Sequence, residues 1–98
     1  MMNIVQGDSF NLTITVESGS ELIEELWFSC KKLDLCKQCT KVDDTTYIIT
    51  LNTQETCNCT DYYTTYDITA KLKDNQINTV IYNGQLRVLK KENVINGN

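Results

Sequence analysis

The sequence predicts an all-β fold, and three observations carry the prediction. Residues 62–73 sort cleanly onto two faces at period two, with Tyr62, Thr64, Tyr66, Ile68, Ala70 and Leu72 on one side and Tyr63, Thr65, Asp67, Thr69, Lys71 and Lys73 on the other. That is the pattern of a half-buried antiparallel strand. Phe10, Leu12, Ile14 and Val16 alternate in the same way with Asn11, Thr13, Thr15 and Glu17 until Ser18, Gly19 and Ser20 break the run. Further short β-branched and aromatic runs are separated by Gly, Asn and Asp clusters, with room for one short helical turn between them.

Taken in order, residues 3–5 read as a first strand ended by Gln6, Gly7, Asp8 and Ser9, a polar cluster whose glycine can take a positive φ. Residues 21–32 carry mixed signals. Ser20 with Ile23 and Glu24 resembles a helix start, but Leu26, Phe28 and Cys30 alternate with Trp27, Ser29 and Lys31. So short a run is marginal for an isolated helix, and a strand is expected from Glu25 onward. Residues 33–44 are mixed and polar, with a short strand over 36–42 and a turn at Asp43 and Asp44. Residues 46–51 form a strand that places Tyr47, Ile49 and Leu51 on one face, and residues 52–56 follow as a helical turn capped by Asn52 or Thr53. After the strand over 62–73, Asp74 and Asn75 turn the chain into a strand over 77–82, and Asn83 with Gly84 turns it again into 85–89, making a three-stranded meander.

About seven or eight strands at this spacing predict an antiparallel immunoglobulin-like β-sandwich, with a small barrel as the alternative. Its expected core holds Phe10, Leu12, Ile14, Val16, Phe28, Tyr66, Ile68, Leu72 and Val88. Residues 1–91 form one domain in this reading, and the polar residues 92–98 a flexible tail.

Composition narrows the function. The 98 residues suffice for one core and not two. The chain contains no histidine, which removes the commonest general base, the His-containing triads and every His metal site, so no catalytic residue is assigned. A net charge of −4 with Arg87 as the sole arginine disfavours nucleic acid. The first residues show neither the basic nor the apolar region of a signal peptide, and no stretch approaches the length of a membrane span, so the expectation is a soluble protein made in a cytoplasm. The sequons at Asn11 and Asn58 are then matches of spelling only.

Five cysteines, an odd count, fit a reduced compartment better than a disulfide framework. Cys36 and Cys39 have the spacing of a zinc knuckle, and with Cys57 and Cys59 they supply four thiols in two close pairs. Two readings stand: a tetrahedral zinc site, if both pairs come to the same end of the fold, or reduced cysteines used as small apolar residues. The second is preferred, and no metal or cofactor is assigned. Cys30 alternates with Phe28 and belongs to the core. Tyr47, Tyr62, Tyr63 and Tyr66 would together make an aromatic platform for a sugar or peptide, but alternation turns Tyr62 and Tyr66 inward and leaves Tyr63 alone outside. Glu21, Glu24 and Glu25, and the pair Asp43 and Asp44, lack the ligand spacing of a calcium loop and read as solvated surface.

Four segments in order along the chain carry a family resemblance. Ile4, Val5, Gln6, Gly7, Asp8, Ser9 and Phe10 look like a start of the form QGD, then Ser or Thr, then an aromatic; Leu51 to Thr56 is similar to a segment Leu-Thr-x-Glu-Thr. Tyr66, Asp67 and Ile68 match Tyr-x-Ile, and residues 79–88 match a final hairpin with Gly84, Leu86 and Val88 at its fixed positions. Together they resemble the immunoglobulin-like domain at the N-terminus of phage baseplate upper proteins and in small related virion proteins. A baseplate upper protein would be expected to continue into a long fibre-forming region, which these 98 residues do not contain, and the cysteine-rich middle departs from the pattern. The resemblance implies a non-enzymatic structural component of a bacteriophage virion, a baseplate, tail or head accessory module made in the bacterial host cytoplasm. Its partners would be other virion proteins in many copies, with no nucleic acid, membrane or small-molecule substrate. The competing expectation is a free soluble binding module, such as a host-directed inhibitor or a carbohydrate or peptide reader.

Overall fold

The computed structural model describes residues 2–58 and 63–90. Among these residues eight strands form: β1 Met2–Val5, β2 Phe10–Thr15, β3 Ile23–Cys30, β4 Leu35–Gln38, β5 Thr40–Lys41, β6 Thr46–Leu51, β7 Tyr63–Leu72 and β8 Ile77–Leu89. They make a five-stranded sheet of order β1-β8-β7-β3-β4 and a three-stranded sheet of order β2-β6-β5. The inward residues of both meet in one cluster, with Ile4, Leu26, Phe28, Ile68, Ala70, Leu86 and Val88 from the larger sheet and Tyr47, Ile49 and Leu51 from the smaller. The expected all-β architecture is present.

Of the nine expected core residues, Phe28, Ile68 and Val88 are fully buried, while Phe10, Leu12, Ile14, Val16, Tyr66 and Leu72 are half-buried against the cluster. β2 is the edge strand of the small sheet, so its apolar face is covered from fewer directions than that of β7. In β7 the two faces divide as the alternation requires: Thr64, Ile68 and Ala70 are buried and Tyr63 and Thr65 exposed. β3 begins at Ile23, two residues before the expected start, and the helix-like signal at Ser20 is a single 3₁₀ turn, Ser20–Leu22. The helical turn after β6 is α1, Thr53–Cys57, closed by a capping box in which the Asn52 side chain accepts the Glu55 N–H and the Glu55 carboxylate accepts the Asn52 N–H.

Three expectations are corrected. The pairing is not wholly antiparallel, because β1 runs parallel to β8, with Ile4 opposite Val88. The chain has to leave β1 through the tight turn at Gly7 (φ 85°) and cross into the second sheet, which it does from the edge of β8. The C-terminal meander is a single hairpin: β8 is one strand of 13 residues, and Asn83 with Gly84 forms no reversal. Its register against β7 slips once between Ile68 and Thr69 and once between Tyr66 and Ile68, so β8 absorbs two extra residues as bulges. Residues 36–42 are not one strand either. β4 pairs with β3 and β5 with β6, and Cys39 is the step between the sheets, its N–H still donated to the Leu26 carbonyl at 2.7 Å. The tail over 92–98 lies outside the described residues.

Candidate binding surface

The second bulge of β8 shapes the outer face of the large sheet. Tyr82 and Asn83 stand opposite the single residue Asp67, and Asn83 takes the left-handed conformation (φ 52°) that asparagine tolerates better than most residues. The Asp67 carboxylate holds this backbone by accepting the Asn83 N–H at 2.9 Å. One residue further, the Tyr66 ring lies over Gly84 so closely that a Cβ there would stand 2.6 Å from the ring's Cε1 and Cζ, which explains the glycine. Tyr66 in turn stacks on Phe28, with centroids 5.6 Å apart and planes 19° from parallel. The bulge thereby aims Tyr82 outward, 75% exposed, over a cleft of about 240 Å³ lined by Ser29, Lys31, Thr65, Asp67 and Asn83.

A second surface continues from it. β1 faces β8 only along residues 86–89, so among the described residues nothing pairs with residues 77–85 on the side away from β7. Ile77, Val80 and Tyr82 are exposed on this stretch.

At the opposite end the turn after β1 is tied to α1. The Thr56 hydroxyl, fully buried, donates to the Asp8 carbonyl at 2.7 Å and accepts the Gly7 N–H at 3.1 Å, and the Gln6 amide donates to the Cys57 carbonyl at 3.3 Å. Lys37 closes the same corner by donating to the Thr50 carbonyl and pairing with Glu55 at 3.0 Å. Burial on its own would raise the Glu55 carboxyl, but the Asn52 N–H and the Lys37 ammonium outweigh it and hold the group below its ordinary value.

The cysteines are dispersed by the sheet geometry. Cys36 is exposed on β4, where its Sγ accepts the Ser29 hydroxyl at 3.6 Å, whereas Cys39 is buried at the step between sheets and Cys57 is half-buried at the end of α1. Knuckle spacing in sequence therefore does not bring Cys36 and Cys39 to one face. Burial pushes the Cys39 thiol up to about 11, which opposes the thiolate a metal requires. Cys59 lies outside the described residues, and among those described no three His, Cys, Asp or Glu side chains gather as a metal site. Cys30 is buried in the core, as expected.

Tyr47 is buried and Tyr66 half-buried, Tyr62 lies outside the described residues, and Tyr63 is exposed. Tyr63 borders a shallow cleft with Thr64, Thr65 and Gln85, and a second exposed ring beside a cleft is Tyr82, which alternation did not single out, although the pair Asn83 and Gly84 did mark the irregular backbone that places it. Two of the carboxylates singled out in the sequence, Glu25 and Asp43, are engaged locally. Glu25 accepts the Trp27 indole N–H at 2.9 Å and faces Lys71 at 4.0 Å, while Asp43 accepts the Thr45 N–H at 3.0 Å in the β5–β6 turn. That N–H and the hydroxyl of Thr46 hold the Asp43 carboxyl low. No helix of the described residues is long and apolar enough to cross a membrane.

No family model matches the chain, and no curated protein or solved structure does.

Proposed function

We propose that this protein is a non-enzymatic structural component of a bacteriophage particle, an immunoglobulin-like sandwich that docks in many copies onto a larger baseplate, tail or head assembly. The observation that carries the reading is how the four resembling segments meet. Gln6, Gly7 and Asp8 are hydrogen-bonded to Thr56 and Cys57, and Tyr66 and Asp67 bear on Gly84 and Asn83, so segments about fifty and about sixteen residues apart form two contacting pairs. The second pair lies on the neighbouring strands of one hairpin, and the first joins the turn after β1 to α1, far from it in sequence. The sandwich reading is supported by two separate sheets that share one core while the chain crosses between them. Attachment then rests on surface contacts, and the symmetry of a particle multiplies a weak single contact into stable occupancy.

Mass spectrometry of purified particles tests the proposal and should find this chain at many copies per particle. Its absence from particles, with the chain free in the infected cell, would put the second reading ahead. That reading, a free binding module, is favoured by the cleft under Tyr82, where an exposed ring lies beside Ser29, Thr65, Asp67 and Asn83.

A further inference from the structure

We infer that the outer face of the large sheet carries a binding track for a short, uncharged oligosaccharide, running across Thr65 from the ring of Tyr63 to the ring of Tyr82. The inference rests on the same cleft as the second functional reading and gives that cleft a ligand class, whether the chain is free or carried on a particle. The cleft of about 240 Å³ under Tyr82 and a shallower one of about 420 Å³ beside Tyr63 are both lined by Thr65, so the two adjoin. Both tyrosines are more than half exposed. Tyr63 lies four residues before Asp67 on β7, and Tyr82 stands across from Asp67. The two rings are therefore spaced by ~13 Å along the strands, at ~3.3 Å per residue, which is longer than one sugar ring.

The lining selects the ligand. Beside the rings are the hydroxyls of Ser29 and Thr65, the amides of Asn83 and Gln85 and the carboxylate of Asp67. Hydroxyls and amides both donate and accept, and a carboxylate accepts, which suits the hydroxyl groups of a sugar. Among the described residues no hydrogen bond or ion pair engages the side chains of Thr65, Tyr82, Asn83 or Gln85, and Asp67 commits one oxygen to the Asn83 N–H and keeps the other. A tyrosine face offers an apolar plane to the C–H side of a sugar at low entropic cost, because its side chain has two rotatable angles. The backbone beneath Tyr82 is already fixed by Asp67 and by the packing of Gly84 under Tyr66, so little ordering is left to binding. Lys31 and Asp67 line the same cleft with opposite signs, and neither an anion nor a cation is favoured. A peptide is the poorer fit. Peptides are held by strand pairing along an edge or by apolar pockets, whereas every side chain lining either cleft is polar apart from tyrosine.

Proton–nitrogen correlation spectra of the full chain, kept in reductant because Cys36 is exposed, are titrated with maltotriose, cellotriose, mannotriose and tri-N-acetylchitotriose. At least one should shift the amides of residues 63–67 and 82–85 saturably, and bind more tightly than its own monosaccharide. For that sugar Tyr82→Ala should weaken binding roughly tenfold, while Tyr82→Phe, which keeps the ring, should retain it. Tyr63→Ala should bring the trisaccharide down to the affinity of the monosaccharide and leave the monosaccharide unchanged. Unchanged thermal unfolding shows that these exposed-site variants fold. Silence towards all four trisaccharides overturns the inference. So do shifts confined to other parts of the molecule, binding that Tyr82→Ala leaves intact, or a cleft that responds only to peptides or to charged sugars. Mass spectrometry of particles decides independently where the chain resides, so a free chain silent to all four sugars would refute this ligand class without refuting the free module.

Discussion

Residues 86–89 of β8 pair with β1, the first two of them with β7 as well, and Leu86 and Val88 are completely buried, whereas residues 77–83 of the same strand have β7 alone beside them among the described residues and leave Ile77, Val80 and Tyr82 in solvent. Both halves are rich in the residues that favour strands, so propensity does not distinguish them. The difference lies in what covers each half. The inner half gains from apolar burial under the second sheet, at about 25 cal/mol per Å² removed from water. The outer half is held mainly by ladder hydrogen bonds, each contributing a net ~0.5–1.5 kcal/mol. The dimensions of 46 × 23 × 20 Å fit a hairpin that extends past the shared core. One strand thus combines an anchored segment with an available one.

The sharpest way to break this comparison is to truncate a side chain in each half. Leu86→Ala should cost about 2–5 kcal/mol in urea unfolding, and Ile77→Ala, measured at low concentration, should stay within about 0.5 kcal/mol of the parent. Equal costs would mean that the outer half is covered after all. Next in size, Gly84→Ala tests the junction of the halves. The new Cβ must displace the Tyr66 ring, which Phe28 holds from the other side, and the expected cost is about 1–3 kcal/mol, with altered aromatic ring-current shifts in proton spectra. A neutral result would show that the ring moves freely there.

At the anchored end, Thr56→Val keeps the shape but removes the hydroxyl that serves both Gly7 and Asp8, and should destabilise the domain by roughly 1–3 kcal/mol. Loss of this link should also speed exchange of the Gly7 amide while leaving residues 77–83 untouched. The smallest effect is expected from pH. Because the folded Glu55 carboxyl titrates below its ordinary value of 4.5, its contribution is fully present above that value and is lost as pH falls through the folded one. Glu55→Gln should therefore narrow the gap between unfolding curves recorded at neutral pH and in acid. If the gap persists unchanged, other carboxylates govern the acid limb.

Period-two alternation located β2, β6 and β7 in the sequence, and Asn52 with Glu55 located α1, because each signal lies within a few consecutive residues and reports on one face or one cap. Ile68 and Phe28 were legible as core for the same reason. The parallel pairing of Met2–Val5 with the end of β8 was not, since it joins segments more than eighty residues apart with no turn between them. Nor was the step at Cys39, where a local reading continues the strand while hydrogen-bond partners in two different sheets divide it. Asn83 and Gly84 show the limit most clearly. The pair can end a strand or bulge within it, and what decides is whether Asp67 stands opposite to hold the extra residue and Tyr66 to cover the glycine. Local backbone preference is written in neighbouring residues, but the choice among the conformations it permits belongs to the strand alongside, which only the folded chain brings there.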